Sequence, residues 1–220
     1  MRESNINIIN GDCMEALKKM PDKCFDLAIV DPPYGIDYQN EKLNRKSNSK
    51  FKDIIGDKKG DIDYKELISE WLRVCEVVIV WGALNFIQDL PHKGTWICWD
   101  KRTKIEADNV FGCPFEMAWC SINHGYDKIC RIMHGGVINA DGANTPRIHP
   151  TQKPVALYKW LLKNYAKEGD KILDTHFGSG SIAIACWDMG YDLDAYELDK
   201  DYYEASIKRL ELHKKQERLF

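Results

Sequence analysis

The chain has 220 residues, of which 44% are hydrophobic and 11% aromatic, enough for one sizeable α/β domain with a packed core. A formal net charge of −3 argues against a general polyanion-binding protein. No apolar run approaches the roughly 18 residues of a membrane span, and the amino terminus lacks the apolar stretch of a signal peptide. We therefore expect a single domain over residues 1–220 and a cytoplasmic location.

Eight cysteines are scattered singly along the chain, with no Cys-x-x-Cys pair. Several fall inside apolar runs, which is typical of reduced core residues and not of a disulfide framework. Nothing in the sequence has the ligand spacing of a zinc site. We therefore expect no metal.

Apolar strands alternate with helical segments in the order of the chain. Seven strands are predicted, at 5–9, 25–30, 77–81, 95–99, 115–121, 171–175 and 194–198. Helices are predicted at 12–20, 64–73, 84–90, 151–166, 181–189 and 201–217. This alternation predicts an α/β fold with a doubly wound, mostly parallel sheet.

The tetrapeptide Asp31-Pro32-Pro33-Tyr34 directly follows the strand 25–30. Two prolines cannot continue inside a sheet, so the strand must end there, at the carboxyl end where open α/β sheets bind ligands. The segment offers a carboxylate, free carbonyls and an aromatic face. These groups suit a planar molecule with an amino group, and the structural alternative is a turn with a core tyrosine.

Two polar regions carry candidate nucleic-acid contacts. Residues 37–60 hold seven lysines and arginines against four acids, and we expect a mobile basic loop that attracts phosphates or is simply solvated. Residues 122–148 have weak periodicity and are interpreted as a short insertion outside the core. The candidate contacts are Lys42, Arg45, Lys46, Lys50, Arg131 and Arg147.

A second constellation, residues 174–181, lies between a predicted strand and a predicted helix. Gly178 and Gly180 let the backbone approach a ligand closely and present N–H groups at a helix N-terminus. Glu197 ends the next strand, 19 residues after Gly178, where an acid can accept hydrogen bonds from ribose hydroxyls. This half of the chain is therefore predicted to bind a nucleoside.

The glycine loop also fits a competing interpretation. Residues 178–183 formally match the dinucleotide fingerprint G-x-G-x-x-G/A, which would indicate a nicotinamide oxidoreductase. Asp174 would repel a pyrophosphate, and the 40 residues after Gly180 are too few for a second mononucleotide half. A sulfonium cofactor carries an amino group and no phosphate, and it fits Asp174 better. His176, inside the loop, is either a packing residue or a catalytic histidine.

Taken together and in this order, the motifs resemble the amino-methylating DNA methyltransferases of the β permutation class. The tetrapeptide comes early and the glycine loop late, and the stretches 10–13 (NGDC) and 149–154 (HPTQKP) also match. The resemblance spans residues 10–199. Thr175 stands where the family usually has proline, and His176 where a small residue is common.

The resemblance implies a Rossmann-like sheet of about seven strands with the last one antiparallel, and S-adenosyl-L-methionine as the cofactor. The glycine loop would hold the methionine part, residues 151 and 153 would lie near its carboxylate, Glu197 would bind the ribose, and residues 12 and 13 would meet the adenine. The implied cofactor-binding set is Asp12, Cys13, Asp31, Thr151, Lys153, Asp174, Phe177, Gly178, Ser179, Gly180, Ser181 and Glu197.

The resemblance also implies double-stranded DNA as the substrate, with residues 122–148 as the target-recognition region. Asp31 and the carbonyl of Pro32 would accept hydrogen bonds from the N6 amino group of a flipped adenine, with Tyr34 stacked on the base. Pro33 completes the catalytic segment, and Asp at position 31 favours adenine N6.

Several alternatives stay open at this point. They are transfer to cytosine N4, a methyltransferase of RNA or of a protein side-chain amide, and a non-enzymatic nucleotide-binding module. A homodimer, a cognate restriction endonuclease and the recognition sequence are likewise undecided by the sequence.

Overall fold

The computed structural model describes residues 4–38, 51–102, 113–123, 125–134, 140–142 and 145–217. These residues form one sheet with the strand order β1-β8-β7-β2-β3-β5-β4-β6. The strands are β1 (Ile6–Asn10), β2 (Phe25–Val30), β3 (Cys75–Trp81), β4 (Thr95–Asp100), β5 (Phe115–Cys120), β6 (Lys128–Arg131), β7 (Lys171–Asp174) and β8 (Asp192–Glu197). The fold is therefore the α/β mixed sheet that the sequence predicts.

Helices cover both faces of this sheet. Within the described ranges they are α1 (Cys13–Leu17), α2 (Tyr64–Val74), α3 (Val155–Tyr165), α4 (Ser181–Met189) and α5 (Lys200–Glu217), with a 3₁₀ segment at Ala83–Asp89. Successive side chains of a strand point to opposite faces, so Leu27 and Ile29 join one apolar cluster while Ala28 and Val30 join the other. A strand buried on both faces reads as a continuous apolar run, as β2 does.

The half predicted to be catalytic, residues 31–34 after β2, and the half predicted to bind a nucleoside, residues 174–181 after β7, meet at the centre of the sheet and are called the catalytic half and the nucleoside half. Strand β2 pairs in parallel with β7 on one side and β3 on the other. The chain proceeds from β2 outward to β3, whereas from β7 it proceeds in the opposite direction to β8. This reversal is a topological switch point, and the crevice between the carboxyl ends of β2 and β7 is where such sheets bind ligands.

Two expectations about the strands need correction. The described sheet has eight strands, because Lys128–Arg131 forms β6 and pairs in parallel with β4. Cys130 of this strand is fully buried, so part of the stretch 122–148 lies in the sheet and not outside the core. The antiparallel strand is β5, which runs against β3 and β4, whereas the last strand, β8, is parallel to both neighbours. The sequence did not predict β6 because a strand of four residues is too short to show the alternation of apolar and polar residues.

The helix predicted from Thr151 begins only at Val155. Pro154 occupies the N-cap position with an extended ψ of 150°. Proline disfavours the helical conformation of the residue before it, so Lys153 stays outside the helix and its side chain reaches the site, while Thr151 lies in a turn. Helix α1 is also shorter than predicted and ends at Leu17, with Asp12 as its N-cap accepting from the Met14 N–H at 2.7 Å.

The described residues contain no helix that is both long and apolar enough to cross a membrane. All eight cysteines are free thiols, and Cys75, Cys120, Cys130 and Cys186 are buried. In the same ranges, no group of three or more His, Cys, Asp or Glu side chains is arranged to hold a metal ion.

Candidate active site

Asp31 leaves the carboxyl end of β2 and turns its carboxylate toward a cavity of about 1270 Å³. Pro32, Pro33 and Tyr34 line the same cavity. Pockets that hold one drug-sized ligand usually have a volume of about 300 to 1,000 Å³. The cavity therefore has room for a nucleoside cofactor and a second planar group beside it.

A buried carboxylate, Asp57, clamps the backbone that follows the prolines. Its Oδ1 accepts the N–H groups of Tyr34 and Gly35, both at 3.0 Å, and its Oδ2 accepts that of Tyr38 at 2.8 Å. Proline has no N–H, so Tyr34 carries the first backbone donor after Asp31. The sequence shows Asp57 only as one acid in a basic stretch, and nothing local to it signals this role.

The ring of Tyr34 lies directly on the backbone of Gly82, which follows β3. A Cβ atom at position 82 would sit 1.9 Å from Cε1 of Tyr34, and Gly82 has a φ of +67°. The Tyr34 hydroxyl donates to Oδ1 of Asp31 at 2.6 Å. Burial, and then the nearby Asp31 charge, raise the pKa of Tyr34 well above its usual value, so the hydroxyl keeps the proton that it donates.

Lys153 is buried against the tetrapeptide, with its side chain 4% exposed. Its Nζ donates to Oδ2 of Asp31 at 2.5 Å and to the Tyr34 hydroxyl oxygen at 3.2 Å. The same ammonium lies 3.5 Å from Oε2 of Glu116 on β5. The structure thus brings Lys153 to the Asp31 carboxylate, and its expected place near the cofactor carboxylate stays a prediction.

Glu116 is a second carboxylate of the site that the sequence did not single out. It forms ion pairs with Lys101, after β4, and with Lys153. Burial alone would raise the pKa of Glu116, but the two lysines outweigh burial and lower it. Burial would likewise lower the pKa of Lys153, and the carboxylates of Asp31 and Glu116 raise it above its usual value. Glu116 and Lys153 are therefore both charged at neutral pH.

The nucleoside half is held by backbone donors. Oε2 of Glu197, at the end of β8, accepts the Gly178 N–H at 2.7 Å, and Oε1 accepts the Asp199 N–H at 2.9 Å. Each carboxylate oxygen has a second lone pair, and Glu197 lines the cavity. The sequence spacing between Gly178 and Glu197 predicted this proximity. The φ of Gly178 is +51°, a conformation that other residues rarely adopt.

Asp174 ends β7 just beneath the cavity and is 2% exposed. Its Oδ1 accepts the His176 N–H at 2.9 Å. Burial raises the pKa of Asp174 to about 8, opposed in part by that hydrogen bond. The free protein therefore carries this carboxyl mostly protonated at neutral pH, and a cationic ligand would favour its ionised form.

His176 belongs to a buried hydrogen-bond chain. The Trp71 indole donates to Oγ1 of Thr175 at 3.0 Å, and the same oxygen lies 2.9 Å from Nδ1 of His176. Burial lowers the pKa of His176 to about 4, so its ring is neutral. These contacts favour the packing interpretation, and they give Thr175 and His176 a shared structural role where the family pattern differs.

The predicted cofactor set divides into two groups. One group lines the cavity: Asp12, Cys13, Asp31, Thr151, Lys153, Gly178 and Glu197. The other group lies behind the loop, outside the cavity lining: Asp174, Phe177, Ser179, Gly180 and Ser181. Ser181 donates to the carbonyl oxygen of Lys153 at 2.7 Å, and Arg209 donates to the Ser181 oxygen at 2.8 Å. These loop residues therefore position the cavity wall.

The candidate DNA contacts are only partly within the described residues. Arg131 is exposed at the carboxyl end of β6 and lies 3.5 Å from Asp100. Arg147 lines the cavity and donates to the carbonyl oxygens of His149 and Pro150. The remaining four, Lys42, Arg45, Lys46 and Lys50, lie outside the described ranges.

Comparison with known families decides the class of this site. Residues 93–208, more than half of the chain, match a family model described as DNA methylase, for N6 and N4 methyltransferases. The chain belongs to this DNA methylase family. It is therefore a DNA amino-methyltransferase of the N6-adenine or N4-cytosine kind, which confirms the resemblance seen in its motifs.

Named relatives are consistent with this assignment. The methylase is 25% identical to the Type II methyltransferase M.HinfI of Haemophilus influenzae, over 96% of this chain and 71% of that protein. It is also 25% identical to the Type II methyltransferase M.HpaI of Haemophilus parainfluenzae, over 93% of this chain and 74% of that protein.

Solved structures share the fold of the methylase. The M1.HpyAVI–SAM complex superposes with a TM-score of 0.63 at 18% identity, covering 93% of this chain and 100% of that chain. The cytosine-N4-specific PvuII DNA methyltransferase gives a TM-score of 0.60 at 15% identity, covering 94% of this chain and 86% of that chain. The sheet is thus that of S-adenosylmethionine-dependent DNA methyltransferases.

Proposed function

We propose that the methylase transfers a methyl group from S-adenosyl-L-methionine to the exocyclic N6 of adenine in double-stranded DNA. One observation carries this proposal: Asp31 and Pro32 line the same cavity as Gly178 and Glu197. An amine acceptor and a nucleoside-binding edge therefore face one space at the switch point of the sheet.

The residues around the nucleoside side fit this cofactor. The carboxylate of Glu197, which lines the cavity, suits ribose hydroxyls, and Asp174, outside the lining, would act through its charge on the cationic end of a methionine part. Asp12 and Cys13 line the wall where the cofactor adenine is expected. Acidic groups would disfavour the pyrophosphate of a dinucleotide, which supports the sulfonium cofactor over the nicotinamide alternative. Bound there, the cofactor supplies an electrophilic methyl group.

Asp31 and the carbonyl oxygen of Pro32 act on the amine. The N6 lone pair is delocalised into the ring, so these two acceptors hold the N–H bonds and draw the nitrogen toward tetrahedral geometry. They also stabilise the positive charge that develops on nitrogen. A nitrogen–carbon bond forms as the carbon–sulfur bond breaks, the bonding pair stays on sulfur, and the nitrogen then releases one proton to solvent. Much of the rate enhancement comes from positioning.

The base cannot be reached inside a duplex, so we propose that it flips into the cavity. Tyr34, held on Gly82, would present its ring to the base. The basic groups after the tetrapeptide and on β6 would contact the phosphates, which attract such groups without sequence preference. Because M.HinfI and M.HpaI are Type II methyltransferases, we extend a restriction-modification context to this chain, with a cognate endonuclease as partner.

Asp31→Ala tests the proposal with tritiated cofactor and duplex DNA. We expect methyl transfer to fall at least about a thousandfold, because the amine loses a charged acceptor, while cofactor affinity changes by less than about tenfold. Asp26→Ala is the matched control, since Asp26 lies near the amino end of the same strand, away from the cavity, and accepts the Lys171 N–H. Turnover retained by Asp31→Ala would refute the mechanism.

Nucleoside analysis of the methylated DNA identifies the target base. The expected product is N6-methyladenine. The PvuII enzyme that shares this fold is cytosine-N4-specific, and the same two acceptors could hold a cytosine amine. Recovery of N4-methylcytosine would therefore replace adenine in the proposal and leave the site assignment intact, whereas methylation of RNA alone would overturn the substrate.

A further inference from the structure

The Lys153 ammonium lies where the catalytic segment, β5 and the start of α3 meet. Its three nearest partners are Oδ2 of Asp31 at 2.5 Å, the Tyr34 hydroxyl at 3.2 Å and Oε2 of Glu116 at 3.5 Å. An ammonium has three N–H bonds. These partners match all three, so a cofactor carboxylate could bind this ammonium only by displacing one of them.

Two aromatic rings complete the surroundings of this ammonium. The Lys153 Nζ lies 5.8 Å from the ring centre of Tyr34 and 5.6 Å from that of Trp81. Both distances fall within the range of cation–π attraction. The lysine is therefore enclosed by anions and aromatic faces and is 4% exposed, which leaves it little freedom to turn toward another ligand.

The backbone of Lys153 is fixed from the glycine loop. Ser181, the first residue of α4, donates to the Lys153 carbonyl oxygen at 2.7 Å, and Arg209 of α5 donates to the Ser181 oxygen at 2.8 Å. The wall of the nucleoside half thereby sets the position of a side chain that acts in the catalytic half.

We propose that Lys153 is a positioning residue for the proposed methyl transfer, which fixes the Asp31 carboxylate in its ionised form and in one orientation. Lys153 binds one oxygen of Asp31 and the Tyr34 hydroxyl binds the other. Each oxygen keeps a second lone pair for the target amine. The inference rests on the proposed function of Asp31 as the amine acceptor.

The charges around Asp31 explain why this cation is needed. Glu116 and Asp174 are carboxyl groups close to Asp31, and Lys101 neutralises only the outer side of Glu116. The Tyr158 hydroxyl of α3 is buried near the same group. Without Lys153, Asp31 would be a half-buried carboxylate beside other acids with no cation to balance it, and we expect it to bind a proton more readily. A protonated Asp31 is a hydrogen-bond donor on the oxygen that must accept.

The test is the pH dependence of single-turnover methyl transfer by the full chain, with duplex DNA and saturating cofactor, from about pH 5 to about pH 9. The acidic limb is the part of the profile where the rate falls as the pH is lowered. In Lys153→Gln the midpoint of this limb should move to higher pH by about one unit or more, and the rate should recover toward high pH. Its cofactor affinity at neutral pH should stay within about threefold of the native value.

Three further variants test whether the charge of Lys153 causes this shift. Lys153→Arg keeps a cation and should hold the limb within about half a unit, whatever its rate. Lys171→Gln removes a lysine that pairs with Asp194 at 2.6 Å elsewhere in the sheet, and it should leave the profile unchanged. Glu116→Gln keeps Lys153 and removes a neighbouring acid, so the limb should move to lower pH, and this variant tests the inference even when Lys153→Gln does not fold.

A second measurement does not need turnover. The Asp31 carboxyl carbon, labelled with ¹³C and assigned with Asp31→Asn, should titrate at higher pH in Lys153→Gln than in the native chain. An unmoved limb and an unmoved titration would overturn the inference, as would a cofactor affinity reduced tenfold or more. Absence of methyl transfer by the native chain would instead refute the proposed function, and the carbon titration would still decide the role of Lys153.

Discussion

The two halves of the active site hold their carboxylates in different ways. In the nucleoside half, Glu197 is bound by the backbone N–H groups of Gly178 and Asp199. In the catalytic half, Asp31 is bound by two side chains, the Lys153 ammonium and the Tyr34 hydroxyl. The first arrangement depends on how the chain turns after β7 and β8. The second depends on side chains that come from distant parts of the chain.

The two arrangements should respond differently to pH and to nearby charges. Backbone donors cannot be titrated, so the contacts of Glu197 depend on the ionisation of one group alone, the Glu197 carboxyl, whose pKa burial raises above its usual value. The bond between Asp31 and Lys153 joins two titratable groups, so its strength depends on every neighbouring charge. We therefore expect changes in the nucleoside half to alter affinity, and changes in the catalytic half to alter rate and its pH dependence.

The largest effect is expected where backbone and catalytic side chain touch. Gly82→Ala would place a methyl group inside the Tyr34 ring, so methyl transfer should fall more than about a hundredfold through misplacement of Asp31. Cofactor affinity, measured by calorimetry, should change less than about threefold. Gly60→Ala is the control, because Gly60 also has a positive φ but no atom within 4 Å of the new Cβ. Equal losses in both variants would contradict the packing argument.

Glu197→Gln should separate affinity from rate. Loss of a charged acceptor should weaken cofactor binding by about ten- to a hundredfold. The rate at saturating cofactor should stay within about threefold, because Glu197 does not contact the catalytic segment. Glu204→Gln, an exposed residue 3.8 Å from Lys200 on α5, is the matched control. A fall in the rate of methyl transfer without a fall in cofactor affinity would contradict the assignment of Glu197 to cofactor binding.

Cofactor affinity should rise with pH up to about 8, because Asp174 is protonated below that value in the free protein. A cationic cofactor favours the ionised carboxyl, so binding releases a proton, and the affinity gains at most about tenfold per pH unit before it levels off. His149 and His176 do not contribute, since burial lowers the pKa of each to about 4.

Calorimetry in two buffers of different ionisation enthalpy counts the protons that are released on cofactor binding. Asp174→Asn should abolish this release. The measurement is made below about pH 7.5, where the amino group of the cofactor stays mostly charged. An unchanged proton count in Asp174→Asn would assign the release to another group.

The smallest effect is expected at the protein surface. Arg131→Gln should weaken duplex binding by about threefold and reduce the salt dependence by about one phosphate contact. Lys167→Gln is the control, since it is exposed before β7, at the amino end of the sheet, away from the site. Fluorescence anisotropy at several salt concentrations measures the duplex affinity and its salt dependence for each variant and for the native chain. Identical slopes for Arg131→Gln and the native chain would remove Arg131 from the DNA contacts.

Local chemistry made part of the site predictable. Consecutive prolines ended β2 at Asp31, and glycines after β7 with an acid after β8 placed Gly178 and Glu197 together. Asp57, Glu116 and the Asp31 contact of Lys153 were not predictable in the same way. The Lys153–Asp31 pair spans 122 residues, and no pattern near either residue indicates its partner.

The amino-acid sequence by itself determined seven of the eight described strands, the two strand ends predicted to bind ligands and the resemblance to the family, because periodicity, proline and glycine act through neighbouring residues. Only the tertiary structure decided which charge faces which. Burial lets a few contacts between distant residues outweigh local preference, since charges interact strongly where water is excluded. For this methylase, that is how Lys153 comes to bind Asp31, the carboxylate proposed to accept the target amine.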